Sequence, residues 1–211
     1  LRRGVNLRIH LLHILLRIQS IFSKKMFLVK PQTISFEKFN EPKSPILDLG
    51  GGGAGVIGQL YQKNVTAIDL RQNELDEAPN GPVKVCADAR SLPFEMNTFN
   101  SVTAFYFFMY LNPEDYLLVI QEAYRTLSPE GIFYIWDTCI PKRTNQKETL
   151  FAVPILAKLP KRTLQTAYGV KWESHFLDYL MLSNLCEEVG FEIIQKQVND
   201  LSFFIKCVKR S

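Results

Sequence analysis

Histidine and cysteine are both thin in this 211-residue chain. Three histidines occur, and two of them, His10 and His13, fall close to its start. Four cysteines, at 86, 139, 186 and 207, never adopt the C-x-x-C spacing of a metal site or a thiol redox motif. That pattern excludes a zinc centre and a disulfide framework. No metal is expected, and the cysteines read as buried thiols in a reducing, cytoplasmic setting. No apolar run reaches the ~20 residues of a membrane-spanning helix, so no transmembrane segment is expected. Internal repeats and low-complexity tracts are missing as well. With 46% apolar residues the chain can bury one substantial core, yet it lacks the length for the second domain of a typical dehydrogenase.

Acidic residues are absent from one region in particular. The first 36 residues hold seven bases (Arg2, Arg3, Arg8, Arg17, Lys24, Lys25, Lys30) and no Asp or Glu, leaving eighteen bases against twenty-one acids in the other 175. The main body is therefore mildly acidic, which argues against a nucleic-acid partner held on a broad basic face. The organisation expected is a basic extension over 1–30, ahead of one domain over 31–211 whose strand-and-helix framework begins near Ser44. Within the extension, IHLLHILLRIQSIF (9–22) is interrupted by His10, His13, Arg17 and Gln19. It suits a transit peptide, a helix making weak membrane-surface contact, or a signal peptide without an A-x-A site. Equally, residues 1–25 read as an upstream extension that the functional protein can dispense with, since the first methionine is Met26.

The informative stretch is ILDLGGGGAGVIG (46–58). Ile46, Leu47 and Leu49 make a strand, and Val56, Ile57 and Leu60 recur at helical spacing, so the glycines occupy a strand-to-helix corner. Gly50, Gly52 and Gly55 satisfy the G-x-G-x-x-G spacing with which bare backbone approaches a nucleotide. Asp48 chooses between ligands. A carboxylate beside that corner repels a pyrophosphate and attracts an ammonium or sulfonium, directly or through ordered water. VTAIDL (65–70) reads as a second strand ending in Asp69, placed to accept ribose hydroxyls. VKVCADA (83–89) reads as a third ending in Asp88, placed for an adenine amino group. Three carboxylates thus end three successive strands at the edge where open α/β sheets bind ligands.

ILDLGGGGAGVIG, VTAIDL, CADARSLPFEMNTFNSVTAFYFFMYL and EAYRTLSPEGIFYIWD, in this order, resemble the class I S-adenosylmethionine-dependent methyltransferases of the small-molecule, methyltransferase type 11-like branch. The resemblance covers roughly 44–208. It implies a Rossmann-like three-layer α/β sandwich with a mostly parallel seven-stranded sheet and a C-terminal antiparallel hairpin. It implies S-adenosylmethionine as cofactor, bound by Asp48, Gly50, Gly52, Gly55, Asp69, Leu70, Asp88, Ala89 and Phe105. One departure stands out: the family's D-x-G-x-G-x-G puts its third glycine at 54, where this chain has Ala54.

The rest of the chain fits the same frame. Residues 101–111 read as a fourth strand, 113–127 as a helix opened by Asn112 and Pro113, IFYIWD as a fifth strand after the SPEG turn, and 173–189 as a helix stopped by Gly190. FEIIQKQV and LSFFIKCV lie too close together for a parallel crossover and form a hairpin. LFAVPILAKLP and RTLQTAYGV, around Pro160 and Lys161, pair in an insertion at about 141–171. It reads as a lid over the acceptor pocket, with a dimerisation strand pair or passive cover as alternatives. Tyr106, Tyr110, Tyr168 and Trp172 are the expected acceptor-pocket residues, and Phe107 reads as core filler. If the acceptor is a hydroxyl or protonated amine, the candidate bases are Asp137 and His175, with loop capping as the alternative for the former and a solvated place in a polar helix start for the latter. The activity expected is methyl transfer to a small-molecule acceptor by in-line displacement. A catalytically silent S-adenosylmethionine-binding module and a nicotinamide-dependent reductase are the other readings.

Overall fold

The computed structural model describes residues 26–211 except 38, 40, 145, 146 and 173–175. Two β-sheets organise them. The larger runs β10-β11-β7-β6-β3-β4-β5, built from β3 (Ile46–Leu49), β4 (Val65–Asp69), β5 (Val83–Cys86), β6 (Phe99–Phe105), β7 (Leu127–Thr138), β10 (Phe191–Asn199) and β11 (Ser202–Lys209). β3 to β7 are mutually parallel, and β11 and β10 add antiparallel strands at one edge. This is the mostly parallel Rossmann-like sheet with its closing hairpin. Its chain order doubles back between β3 and β6, so the crevice for a ligand opens above the carboxyl ends of those strands.

Local sequence explains the elements that frame that crevice. All four residues of β3 are buried, as suits a central strand covered on both faces. Helix α1 (Val56–Tyr61) follows the glycine corner, and α2 (Gln72–Glu77) follows β4. In α3 (Tyr116–Thr126), Tyr116, Val119, Ile120 and Ala123 are buried at the i, i+3, i+4, i+7 spacing of one helical face. Helix α4 (Tyr179–Val189) starts where the Asp178 carboxylate accepts the Leu180 N–H at 2.7 Å and stops at Gly190, with φ 111°. It begins later than the expected 173, and residues 173–175 lie outside those described. Helices α1 and α2 pack on β4 and its neighbours, while α3 and α4 pack together over β7, β10 and β11.

The second sheet changes the expected boundaries. β8 (Leu150–Leu159) and β9 (Arg162–Lys171) form the hairpin expected around Pro160 and Lys161. On its other side β8 pairs in parallel with β1 (Met26–Leu28) and β2 (Gln32–Ser35). Among the described residues, strands pairing with β8 are therefore found from Met26 on, ahead of Ser44. Their strand character depends on a partner more than 120 positions away, which local pattern does not reveal. The fourth strand likewise ends at Phe105, and a 3-10 turn (Phe108–Tyr110) replaces its expected continuation. Tyr106, with φ 53°, breaks the strand. Among the described residues no helix is long and apolar enough to cross a membrane.

Candidate active site

A cleft of about 530 Å³ opens at the carboxyl ends of β3, β4 and β5, an ordinary size for a small-molecule site. Its floor is the glycine corner. Gly50 has φ +69°, and a Cβ there would fall 2.5 Å from Phe107 Cδ2. At Gly52 a Cβ would come within 2.6 Å of Glu74 Cβ and 2.7 Å of Asp69 Oδ2. Any side chain at these two positions would fill the cradle between the corner, α2 and the 107–110 turn. Gly53 and Ala54 extend the same wall. Ala54 is not among the residues with positive φ, so its methyl costs no backbone strain. Gly55 does not line the cleft. It precedes α1 at φ +51°, and a Cβ there would face Pro79.

Asp48 lies beneath this floor, not on it. Only 2% of it is exposed, Oδ1 accepts a hydrogen bond from Thr103 Oγ1 at 2.7 Å, and a Cβ on Gly51 would sit 2.8 Å from Oδ2. Burial pushes its carboxyl up to about 7 against the opposing effect of the Thr103 hydrogen bond. The side chain is enclosed by strand and loop and does not line the cleft.

Asp69, Leu70, Asp88 and Ala89 do line the cleft. Asp69 Oδ1 accepts the Arg71 N–H at 3.0 Å. Asp88 accepts from the Arg90 backbone at 2.9 Å and from its guanidinium at 2.7 Å, and the same guanidinium reaches Asp115 at 3.3 Å. Those side-chain hydrogen bonds from Arg90 hold the Asp88 carboxyl below its usual range. Glu74, Arg71, Arg90 and Asp115, which also line the cleft, escaped the sequence reading. Glu74 was legible in part: it falls on the first turn of the helix after Asp69, and Arg71 pairs with it at 3.1 Å.

Phe105 is turned away. It is buried with its ring 5.8 Å from Phe36 and 6.1 Å from Trp136, because the strand face that carries it looks toward the second sheet. Tyr106, Tyr110 and Tyr168 are brought together on the cleft wall, as is Phe107, which also packs against the core. Tyr106 stacks on Tyr168 at 5.0 Å and 8°, and its hydroxyl pairs with Ser202 Oγ at 2.7 Å. Burial pushes the phenols of Tyr106 and Tyr168 up. The Tyr110 hydroxyl accepts the Gly169 N–H at 3.2 Å, which joins the 3-10 turn to the edge strand β9. Trp172 stands apart from the cleft. It packs on Phe27 at 4.9 Å and Phe151 at 5.6 Å, and its Nε1 donates to the Pro141 carbonyl at 2.8 Å.

Asp137 is fully buried behind the 3-10 turn. It accepts the Thr138 N–H at 2.8 Å and the Met109 N–H at 3.3 Å, and burial pushes its carboxyl up to about 7. It does not line the cleft, so the geometry favours a loop-holding role over that of a base touching an acceptor. His175 lies outside the described residues. Among those described, no cluster of three or more His, Cys, Asp or Glu could hold a metal ion.

Residues 47–135, which carry the glycine corner, Asp69, Asp88 and the 106–110 wall, match a family described as a methyltransferase domain. Over that segment the chain is similar to class I methyltransferase domains. Similar proteins include a demethylmenaquinone methyltransferase of Oceanobacillus iheyensis, 33% identical over 49% of this chain and 44% of that protein. A demethylmenaquinone methyltransferase of Staphylococcus haemolyticus is 29% identical over 62% of this chain and 59% of that one. The chain thus spans about half the length of the curated relatives it matches. Among solved structures, a SAM-dependent methyltransferase of Methanosarcina mazei superposes with TM-score 0.57 at 20% identity, covering 78% of this chain and 92% of that chain. The cofactor of such methyltransferase domains is S-adenosylmethionine. The donor set fits it, because a side-chain-free cradle at Gly50 and Gly52, a carboxylate at the β4 end and another beyond β5 follow one another along the cleft.

Proposed function

We propose that this protein transfers the methyl group of S-adenosylmethionine to a small-molecule acceptor. The observation that carries the reading is the continuous wall of Gly52, Asp69 and Asp88 across three adjacent strand ends. Gly50 and Gly52 would receive the amino-acid end of the cofactor, Asp69 the ribose hydroxyls, and Asp88 with Ala89 the adenine. When bound, the cofactor supplies a sulfonium-activated methyl group that needs no further activation as a leaving group. The residues of the chain have to align the acceptor and exclude water.

Tyr106, Phe107, Tyr110 and Tyr168 form the aromatic wall that would do this, with β9 closing the cleft as a lid. Asp137 acts as a positioning residue that fixes the backbone of the 107–109 turn. Residue His175 remains the proposed base for acceptors that lose a proton. The aromatic wall and the demethylmenaquinone methyltransferase activity of the curated relatives together favour a flat, quinone-like ring as acceptor class. The mildly acidic body and the free thiols suit a cytoplasmic enzyme without a nucleic-acid partner.

Equilibrium binding of S-adenosylmethionine, S-adenosylhomocysteine and NADH to the full chain tests the assignment. Saturable binding of the first two and none of NADH is expected. Tight NADH binding with no affinity for either sulfur compound would replace the methyltransferase by the reductase.

A further inference from the structure

On the cleft wall beyond β5, Arg90 is held between two carboxylates. Asp88 Oδ1 accepts the Arg90 backbone N–H at 2.9 Å and Nε at 3.0 Å, while Oδ2 accepts Nη2 at 2.7 Å and a share of Nε at 3.1 Å. The first bond closes an Asx turn and the others make a fork, so the carboxylate is held in one orientation. On its far side the guanidinium sends Nη1 to Asp115 at 3.3 Å. Asp115 precedes α3 but makes no side-chain capping bond to it, and its carboxylate faces Arg90 instead.

All three residues line the cleft. One cation shared by two carboxylates leaves the group with an excess of negative charge, and its donors are already committed. Such a guanidinium is not available to a nucleotide phosphate. What the group offers a ligand is acceptor capacity, next to the exposed apolar side chain of Leu70 at the neighbouring strand end.

We propose that Arg90 is a positioning residue that makes the cleft selective for a 6-aminopurine, by holding Asp88 as a fixed acceptor for the exocyclic amine. The inference rests on the methyltransferase reading and adds to it the residue that sets base specificity. A free carboxylate can turn, or work through water, to suit several purine edges. Pinned by the fork, Asp88 keeps acceptor capacity chiefly on Oδ2, since Oδ1 already receives two N–H groups. An N–H at purine C6 satisfies that oxygen. A carbonyl there sets acceptor against acceptor, and a hydrogen leaves Oδ2 without its partner.

The loop that carries Arg90 is fastened independently. Glu122 accepts the Leu92 N–H at 2.6 Å, and Arg125 donates to the carbonyls of Phe94 at 2.7 Å and Leu92 at 3.1 Å. Those bonds to α3 do not involve Arg90, so removing its side chain frees the carboxylate without releasing the loop.

The test measures, by calorimetry on the full chain, the affinities for S-adenosylhomocysteine, its 6-deamino analogue and S-inosylhomocysteine. The parent should prefer S-adenosylhomocysteine to either analogue by at least about tenfold. Arg90→Met keeps most of the stem and loses the fork. It should weaken S-adenosylhomocysteine about tenfold and leave both analogues within about threefold of their parent values, which erases the preference. Arg90→Lys keeps the charge without the fork and should behave like Arg90→Met. Asp115→Asn should reduce the preference by a smaller factor, and it carries the same readout if the Arg90 variants fail to fold. Equal weakening of all three ligands overturns the proposal, because it marks a merely structural ion pair. A parent without preference, or a preference that survives in Arg90→Met or Arg90→Lys, overturns it as well. Failure of the parent to bind S-adenosylhomocysteine at all is a separate result, which defeats the methyltransferase reading and this proposal with it.

Discussion

Replacing Asp48 by Asn separates the cost of a buried charge from its use. The side chain is 2% exposed, and burial lifts its carboxyl from 3.8 to about 7. A folded-state value raised above the unfolded one means that the folded protein holds the proton more tightly. The associated stability is complete below about pH 4 and is lost as pH climbs through 7. Between pH 5.5 and 8.5 the parent should lose roughly 2 kcal/mol from this one group. Asp48→Asn keeps the shape and the hydrogen bond from Thr103, and it cannot ionise. Its stability relative to the parent should therefore improve by about 2 kcal/mol over the same window, measured by urea unfolding at both pH values.

Cofactor affinity should move the opposite way. The cationic methionine end of S-adenosylmethionine favours ionised Asp48, so parent affinity should rise with pH through about 7. The Asn variant should bind five- to a hundred-and-fifty-fold more weakly above that pH, for a charge effect of roughly 1 to 3 kcal/mol, with little pH dependence of its own. A stability difference that is flat between pH 5.5 and 8.5 would refute the buried-carboxylate reasoning. Unchanged cofactor affinity above pH 7 would refute the electrostatic role, whatever the stability shows.

Asp69→Ala should weaken S-adenosylmethionine at least tenfold by calorimetry without lowering the thermal midpoint appreciably, since charge-assisted bonds to ribose are worth roughly 1.5 to 3 kcal/mol each. Gly50→Ala meets both a φ of +69° and the Phe107 ring 2.5 Å from the new methyl, so it should lose cofactor binding and about 1 to 3 kcal/mol of stability in the same urea assay. A chain starting at Met26 keeps β1 and every pairing of β8, and it should unfold cooperatively and bind cofactor as the full chain does. Loss of its cooperative transition would show that residues 1–25 contribute to the fold.

Much of the cofactor half was legible in the chain because it is local. A strand, a glycine corner and a helix follow one another within 46–61, and the backbone requirement at Gly50 and Gly52 is written in residue type. The same holds for Asp69 and Asp88, since a carboxylate at a strand's end lands at the sheet edge wherever that strand pairs. The C-terminal hairpin was legible from its short turn, and the β8–β9 hairpin from Pro160 and Lys161.

What tertiary structure alone decided is which way side chains face and what stands behind them. Asp48 and Asp137 lie under the cleft floor instead of on it, and Phe105 and Trp172 turn toward the second sheet. Tyr106, by contrast, meets Tyr168 from 62 positions away and Ser202 from 96. Residue type sets what a group can do within a few bonds of its own backbone. Whether it meets solvent, a ligand or a buried neighbour depends on strands such as β1 and β8, brought together only when the chain closes.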